Sequence, residues 1–240
     1  MSRSSGSSPR GSTVETAVLF SGGLDSAVLL AQEAQHARVL AIYESVGLAR
    51  DAAEQAMAGR LLDHLRLANG AIRPMTTLVL PVADVYPATH WAIRGTPPAY
   101  DTPDEDVYLV GRNVLLLAKA AILCAQEDIE RLALGPLAGN PFPDAQPAFF
   151  AAMGQALALG LNHSVDIVRP FETMHKEAVI ALGRTLDVPF ELTLSCMNPM
   201  GPVHCGACSK CRERQQAFAA AGVPDPTSYA TRRGGDSRHS

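Results

Sequence analysis

Short apolar runs alternate with longer amphipathic segments along this chain of 240 residues. The runs predict five buried strands, at residues 15–20, 38–43, 76–80, 131–135 and 165–169. Patterns typical of helices lie between most of them, at residues 24–35, 49–68, 112–127, 147–159 and 176–186. Strands that alternate with helices and are apolar on both faces form parallel sheets covered on both sides. The pattern therefore predicts an α/β fold with an open, doubly wound parallel sheet.

Two proline-containing stretches, residues 81–108 and 136–146, interrupt this alternation. Loops of such length inside a compact domain often act as lids or binding loops, although a plain surface connection is an equally good interpretation of the first. Its acidic residues are more typical of a solvated face than of a metal site; they are Asp101, Asp104, Glu105 and Asp106.

The sharpest local signal follows the first predicted strand, where an apolar run ending at Phe20 stops at Ser21-Gly22-Gly23-Leu24-Asp25-Ser26. This pattern predicts a strand, a tight turn and the first turn of a helix. A helix N-terminus attracts anions, and glycines let the backbone approach a phosphate closely. No Lys follows the second Gly, so the pattern differs from the Walker motif. We expect a phosphate site here, beyond the carboxyl ends of the strands.

Four of the five cysteines lie close together, with the spacing C-x8-C-x2-C-x2-C; they are Cys196, Cys205, Cys208 and Cys211. Four thiolates complete a tetrahedral shell for Zn²⁺, and a site with no open position is structural. An iron–sulfur cluster is the rival interpretation, since C-x2-C-x2-C also occurs in ferredoxin-type sites. Disulfides are disfavoured in a chain without a signal peptide. Cys124 falls in an apolar helical pattern and is expected to be a core residue.

Two further motifs open predicted helices. Arg112 and Asn113 follow Gly111 at the start of a strongly apolar segment, where they could face a nucleotide or simply cap the helix. Lys176 lies in the first turn of another helix, with Thr173 as a candidate N-cap. A cation opposes the usual charge preference at that end, which indicates either a bound phosphate or an exposed Lys that tolerates a small penalty.

Composition narrows the class of protein. The formal net charge of −4 and the charged fraction of 18% give no basic excess for a large nucleic-acid footprint. No apolar run approaches the roughly 20 residues that span a bilayer, and the N-terminus lacks the apolar stretch of a signal peptide. We therefore predict a cytoplasmic protein without nucleic-acid or membrane partners.

Together these motifs resemble those of the 7-cyano-7-deazaguanine synthases (QueC/ExsB-like proteins), a family of PP-loop N-type ATP pyrophosphatases. The resemblance covers about residues 15–220 and rests on motifs in a fixed order. They are Ser21–Ser26, Gly111-Arg112-Asn113, Pro143-Asp144, Lys176 and the four cysteines before the final helix. It implies an adenine nucleotide alpha hydrolase-like (HUP) fold with a C-terminal zinc knuckle, and a homodimer.

The resemblance also implies an activity, that of a C–N bond-forming ligase in queuosine biosynthesis. The substrate would be 7-carboxy-7-deazaguanine, converted with ammonia and ATP to 7-cyano-7-deazaguanine through adenylated intermediates. The cofactors would be ATP, Mg²⁺ and Zn²⁺. No glutamine-hydrolysing half precedes the ATP loop, so we expect nitrogen to come from free ammonia or a separate partner.

Residue roles follow from the matching motifs. The ATP pyrophosphate would bind Phe20, Ser21, Gly22, Gly23, Leu24, Asp25 and Ser26. Asp25 would hold Mg²⁺ or order the loop, while Lys176 and Arg112 would stabilise charge on the phosphates or leaving group. Arg112, Asn113 and Asp144 would contact substrate, with Asp144 accepting from an N–H edge of a purine-like base. The four cysteines would bind zinc.

One segment departs from the family pattern, which usually ends Tyr-Pro-Asp-Cys-Arg after an Asp. Here Phe142 replaces the Tyr, Ala145 the Cys and Gln146 the Arg, while Asn140 stands near the Asp. Three alternatives therefore stay open: a divergent PP-loop enzyme that adenylates another carboxylate, a tRNA thiolase, and a non-catalytic nucleotide-binding or regulatory module.

The predicted organisation has four parts. Residues 1–13 form a disordered N-terminal tail and residues 14–190 the PP-loop α/β domain. Residues 191–222 form the four-cysteine zinc knuckle with the terminal helix, and residues 223–240 form a flexible tail.

Overall fold

The structure is a computed structural model that describes residues 15–231. Its strands are β1 Glu15–Leu19, β2 Arg38–Ser45, β3 Thr76–Val79, β4 Arg131–Ala133 and β5 Asp166–Val168. Its helices are α1 Leu24–Glu33, α2 Asp51–Ala68, α3 Trp91–Arg94, α4 Arg112–Glu127, α5 Pro147–Leu161, α6 Lys176–Thr185 and α7 Ser209–Ala220. Three short 3-10 turns lie at Asp104–Val107, Pro143–Ala145 and Phe190–Leu192.

The five strands form one parallel sheet in the order β3-β2-β1-β4-β5. Strand β1 lies at its centre, where Val18 is in register with Ala41 of β2 and with Ala133 of β4. The chain moves outward on one side of β1 and then returns to the other side, so the topology reverses between β1 and β4. The predicted doubly wound parallel sheet is confirmed, and its ligand crevice is expected at this reversal.

Strand β1 contributes to a hydrophobic core on each face of the sheet because successive side chains point to opposite faces. Val18 and Phe20 join the core formed with α1, α2 and α6. Ala17 joins the core formed with α4 and α5. Burial on both sides explains why the strands are continuous apolar runs rather than alternating ones.

Each predicted strand and helix is present, with ends that differ by a few residues. Helix α3 was not predicted, because it is four residues long and lies inside the stretch interpreted as irregular. His90 caps its start through a hydrogen bond from the Ala92 N–H, and Gly95 ends it in the left-handed conformation. Helix α6 begins at Lys176 with His175 at the N-cap, so the expectation that Thr173 caps it was wrong.

The predicted C-terminal tail needs correction. The guanidinium of Arg214 on α7 is buried and donates to the Thr227 hydroxyl, with an Nε–Oγ1 distance of 2.6 Å. The N–H groups of Ala230 and Thr231 donate to the carbonyls of His204 and Cys205. These hydrogen bonds pack residues 223–231 along the cysteine segment. The buried guanidinium of Arg214 requires hydrogen-bond acceptors, and Thr227 supplies one of them. Residues 232–240 and the predicted N-terminal tail lie outside the described residues.

None of the helices within residues 15–231 has the length and apolar character needed to cross a membrane.

Helices α1 and α6 pack closely at Gly183, and this contact generates a stability prediction. A Cβ added there would lie 2.6 Å from Phe190 Cζ and from Val28 Cγ2. We expect Gly183→Ala to lower the free energy of unfolding by about 1–3 kcal/mol, because overpacking displaces both neighbours. The measurement is urea unfolding followed by circular dichroism.

The matched control is Gly59→Ala on α2, where an added Cβ would meet nothing within 4 Å. It is expected to raise the free energy of unfolding by about 0.5–1 kcal/mol, through the better helix propensity of Ala. Equal responses of the two variants would contradict the close packing at Gly183.

Candidate functional site

A cavity of about 270 Å³ opens at the carboxyl edge of the sheet, between the ends of β1, β2 and β4. Its charged and polar lining comes from the turn after β1, the end of β2, one residue of α2, the start of α4 and the loop after β4. These residues are Ser21, Asp25, Ser26, Tyr43, Glu44, Glu54, Arg112, Asn113 and Asn140. The cavity lies where the sheet topology predicts a ligand crevice.

The turn from Ser21 to Ser26 is held by its own hydroxyl groups. The Ser26 hydroxyl donates to the Gly23 carbonyl at 3.1 Å and accepts from the Ser21 N–H at 3.3 Å. The Ser21 hydroxyl accepts from the Gly23 N–H at 3.3 Å. Gly23 is the N-cap of α1 and makes no side-chain cap bond, so the positive end of the helix faces the cavity without a carboxylate cap. This arrangement fits an anion such as a phosphate.

Gly22 lies where the turn meets two other segments. Its φ of 72° is left-handed, and a Cβ there would lie 2.8 Å from Ala58 Cα of α2. Its carbonyl accepts a hydrogen bond from the Leu194 N–H at 2.9 Å, two residues before Cys196. Gly22 is therefore required for packing and backbone conformation, and its side of the turn does not line the cavity.

Lys176 lies behind the turn, between two carboxylates. Its ammonium is 3.3 Å from Asp25 Oδ2 and also bonds Glu213 of α7, which in turn pairs with Lys210. Burial opposes the ammonium, but the charges of Asp25 and Glu213 outweigh it and raise the pKa of Lys176. Burial likewise opposes the carboxylate of Glu213, and the ammonium groups of Lys176 and Lys210 outweigh it and lower its pKa to about 2. The other Asp25 oxygen, Oδ1, is buried without a hydrogen-bond partner among the described residues.

The start of α4 is fixed by Asp144. Asp144 Oδ2 accepts from the Asn113 N–H at 3.0 Å, and the Asn113 side-chain amide donates to the Asp144 carbonyl at 2.8 Å. The Asp144 side chain is buried and does not line the cavity. Its geometry supports a helix-capping role, while Arg112 and Asn113 themselves face the cavity.

Two carboxylates in the cavity wall were not predicted. Glu54 of α2 pairs with Arg50, with an Nε–Oε2 distance of 2.9 Å. Glu44, at the end of β2, has both carboxylate oxygens buried without a hydrogen-bond partner, and burial raises its pKa to about 8 despite the nearby charges of Lys119 and Arg112. The signal that could have found Glu44 is its position, since it comes directly after the predicted strand at residues 38–43, as Ser21 comes after the predicted strand at residues 15–20. The carboxyl ends of neighbouring parallel strands meet at one edge of the sheet.

The four cysteine sulfurs converge beside this site, all within 4.8 Å of one another. Sulfur–sulfur distances of 3.9 Å for Cys205–Cys211 and 3.5 Å for Cys208–Cys211 are near the roughly 3.8 Å that a tetrahedral site with metal–sulfur bonds of about 2.3 Å requires. The Cys196 sulfur accepts from the N–H groups of Asn198 and Cys205, and such bonds stabilise a thiolate. Geometry and chemistry both fit a bound metal ion.

Most predicted site residues thus surround one cavity. Phe20, Ser21, Gly23, Asp25, Ser26, Arg112 and Asn113 line it. Lys176 reaches it only through Asp25, and the Leu24 side chain lies in the core, leaving its backbone as the part available to a ligand. The catalytic and binding roles assigned to these residues stay predictions.

The fold and this cavity define the class of protein: an α/β protein with the PP-loop nucleotide-binding fold and, near its C-terminus, a cysteine cluster suited to bind a metal ion. A family model described as queuosine biosynthesis protein QueC matches residues 15–222. The chain therefore belongs to the QueC family, as the motifs predicted.

Curated relatives agree with this assignment. The chain is 33% identical over 229 residues to the 7-cyano-7-deazaguanine synthase of Methanopyrus kandleri, covering 89% of this chain and 98% of that protein. It is 34% identical over 233 residues to the enzyme of the same name from Ruegeria pomeroyi, covering 90% and 95%. A solved U34-tRNA thiolase NcsA from Methanococcus maripaludis is 13% identical, with a TM-score of 0.44 over 73% of this chain and 57% of that one, too distant to bear on function.

The cysteine geometry predicts the outcome of a metal measurement. We expect Cys211→Ser to lose most of its bound metal, because the ion would lose one of four thiolate ligands. Elemental analysis of the purified protein measures this. Cys124→Ser is the matched control, since Cys124 is buried in α4 and burial raises its thiol pKa to about 12.

Chelation of the wild-type protein gives a second readout that does not depend on folding of a variant. Removal of the metal is expected to lower Tm, because the ion would hold α7 to the rest of the segment from Thr193 to Thr231. Undiminished metal content in Cys211→Ser would refute the assignment of this ligand.

Proposed function

We propose that this protein converts 7-carboxy-7-deazaguanine and ammonia to 7-cyano-7-deazaguanine at the expense of ATP, within queuosine biosynthesis. Membership of the QueC family supports the proposal, and the names of its relatives give the product, 7-cyano-7-deazaguanine. The observation that carries it is the turn at Ser21–Ser26, which opens into the same cavity as Arg112 and Asn113. A phosphate group bound at this turn and a second substrate bound near Arg112 and Asn113 would therefore meet in one cavity.

The chemistry explains the need for ATP. A carboxylate resists attack by ammonia because its leaving group would be oxide. Transfer of AMP to a carboxylate oxygen, with release of pyrophosphate, creates a good leaving group. Ammonia then displaces AMP to give the amide. A second ATP transfers AMP to the amide oxygen, and this oxygen then leaves as part of AMP to give the nitrile. Both carboxylate oxygens therefore depart on AMP.

The protein contributes position and charge. Backbone N–H groups at the start of α1, with Ser21 and Ser26, would bind the pyrophosphate. Asp25 would hold Mg²⁺ through its unpartnered Oδ1, since carboxylate oxygens are ligands that Mg²⁺ prefers. Arg112 would face the reacting phosphate or carboxylate, and Lys176 would keep Asp25 oriented. Fixed charges of this kind contribute about 10²–10³-fold in rate each.

Zinc is the metal that the cluster suits best. Four thiolates leave no open position, so the ion would fix the segment from Cys196 to Cys211 without entering the reaction. An ultraviolet-visible spectrum without iron–sulfur absorbance would support zinc over an iron–sulfur cluster and would disfavour the thiolase alternative.

A homodimer is also proposed. Helix α5 is almost entirely apolar, yet only Phe150 is buried, and Leu159 is 85% exposed. An uncharged helix face of this size is typical of a surface covered by another subunit.

A product assay tests the proposed function. The protein is incubated with ATP, Mg²⁺, ammonia and 7-carboxy-7-deazaguanine carrying ¹⁸O in its carboxylate, and products are examined by mass spectrometry. We expect the nitrile, pyrophosphate and AMP that carries the label. ATP binding without turnover would favour the regulatory module instead, and unlabelled AMP would exclude transfer to the carboxylate.

Removal of the Asp25 carboxylate tests whether this side chain takes part in the reaction with ATP. We expect Asp25→Ala to lose ATP-dependent pyrophosphate release, because Lys176 loses its partner at the turn and the Mg²⁺ ligand is gone. The control is Asp63→Ala on α2, whose side chain is 78% exposed and does not line the cavity. Full pyrophosphate release by Asp25→Ala would overturn the mechanism.

A further inference from the structure

Glu44 is a buried carboxylate without a partner in the wall of the cavity. The residue is 9% exposed, and neither carboxylate oxygen has a hydrogen-bond partner among the described residues. Leaving a charged or polar group buried and unpaired destabilises a fold, so such a group calls for an explanation, and service to a ligand or a reaction is one. Because Glu44 lines the cavity, a bound molecule can supply the missing donors.

The surroundings of Glu44 include a donor that is also unpaired. Arg112 lines the same cavity from the start of α4, and its Nε is buried without a hydrogen-bond partner. Its positive charge acts on Glu44, yet no ion pair joins the two within residues 15–231. Lys119, the other cation that acts on Glu44, donates to the Val79 carbonyl. Two acceptor oxygens and one guanidinium donor therefore share a wall of the cavity and do not satisfy each other.

We propose that Glu44 and Arg112 together recognise the donor–donor–acceptor edge of a 2-amino-pyrimidinone ring. In the complex, the N–H donors of the ring and the charge of Arg112 favour the ionised form of Glu44, which accepts hydrogen bonds from the ring N–H and the 2-amino group. Arg112 donates to the ring oxo group, which lies beside the 7-carboxylate that Arg112 also faces. The proposal rests on the proposed function, whose substrate carries this edge, and it moves recognition of the base from Asp144 to Glu44.

The other carboxylates near the cavity are already engaged. Asp144 Oδ2 caps α4 through the Asn113 N–H, and Glu54 pairs with Arg50. Asp25 pairs with Lys176 at the turn from Ser21 to Ser26. An adenine edge is a poorer match to Glu44, because adenine presents one donor and one acceptor where the carboxylate offers two acceptors.

The test compares two substrates in three proteins. The substrates are 7-carboxy-7-deazaguanine and its analogue without the 2-amino group, and the proteins are wild type, Glu44→Gln and Asp144→Asn. Wild type is expected to prefer the 2-amino substrate by about 10- to 100-fold in kcat/KM, as for a hydrogen bond to a charged group. Glu44→Gln should lose this preference, because its amide presents a donor to the substrate's donors, while KM for ATP stays within about twofold. Asp144→Asn should keep the preference, because its side-chain oxygen still accepts from the Asn113 N–H.

The preference is a readout that a structural role of Glu44 would not change. An equal preference in wild type and Glu44→Gln would overturn the proposal, as would a loss confined to Asp144→Asn. A rise in KM for ATP alone in Glu44→Gln would assign Glu44 to adenine and also overturn it.

Calorimetry separates this proposal from the proposed function. Binding of 7-carboxy-7-deazaguanine and of its analogue is measured with wild type and Glu44→Gln, each in the presence of a non-hydrolysable ATP analogue. If wild type binds the 2-amino compound about 10- to 100-fold more tightly, Glu44→Gln binds both compounds equally, and no nitrile forms, the reaction assignment fails and the recognition of the base by Glu44 stands. If nitrile forms and wild type does not discriminate in binding or turnover, the reaction stands and the Glu44 proposal fails.

Discussion

The ammonium of Lys176, buried between Asp25 and Glu213, is the interaction on which the site depends. Asp25 belongs to the turn at Ser21–Ser26, Lys176 begins α6, and Glu213 lies on α7 two residues after Cys211 of the cysteine cluster. A buried charge is tolerated only when it is paired, so these three elements must be in place together. These ion pairs connect the helix that carries Cys211 to the turn at Ser21–Ser26.

A second connection runs through the backbone. The Gly22 carbonyl accepts from the Leu194 N–H, and the absence of a side chain lets α2 approach the turn at Ala58. From Leu194 the chain continues to Cys196, while Arg214 bonds Thr193, Ser195 and Thr227 and so joins the cysteine segment to residues 223–231. The cysteine segment therefore supports the turn that lines the cavity and is not a separate module.

Much of the fold was predictable because it depends on local patterns. The run ending at Phe20 is apolar on both faces and stops at two glycines, which identifies both a central strand and the turn after it. Helix α4 was predicted with the bounds Arg112–Glu127 that the structure shows. Helix α3 and the packing of residues 223–231 were missed, because the first is stabilised by packing of Trp91 and Ala92 and the second by a buried Arg214.

The sequence by itself determined the parallel sheet, the turn after β1, the cysteine cluster and the family, since each is a pattern or spacing of residue types within the chain. Only the tertiary structure decided how distant carboxylates are used. Asp144 caps the start of α4, Glu213 pairs with Lys176, and Glu44 lies unpaired in the cavity wall. The physical reason is that the role of a carboxylate depends on which donors the fold brings within hydrogen-bond distance, and those donors come from other elements of the chain.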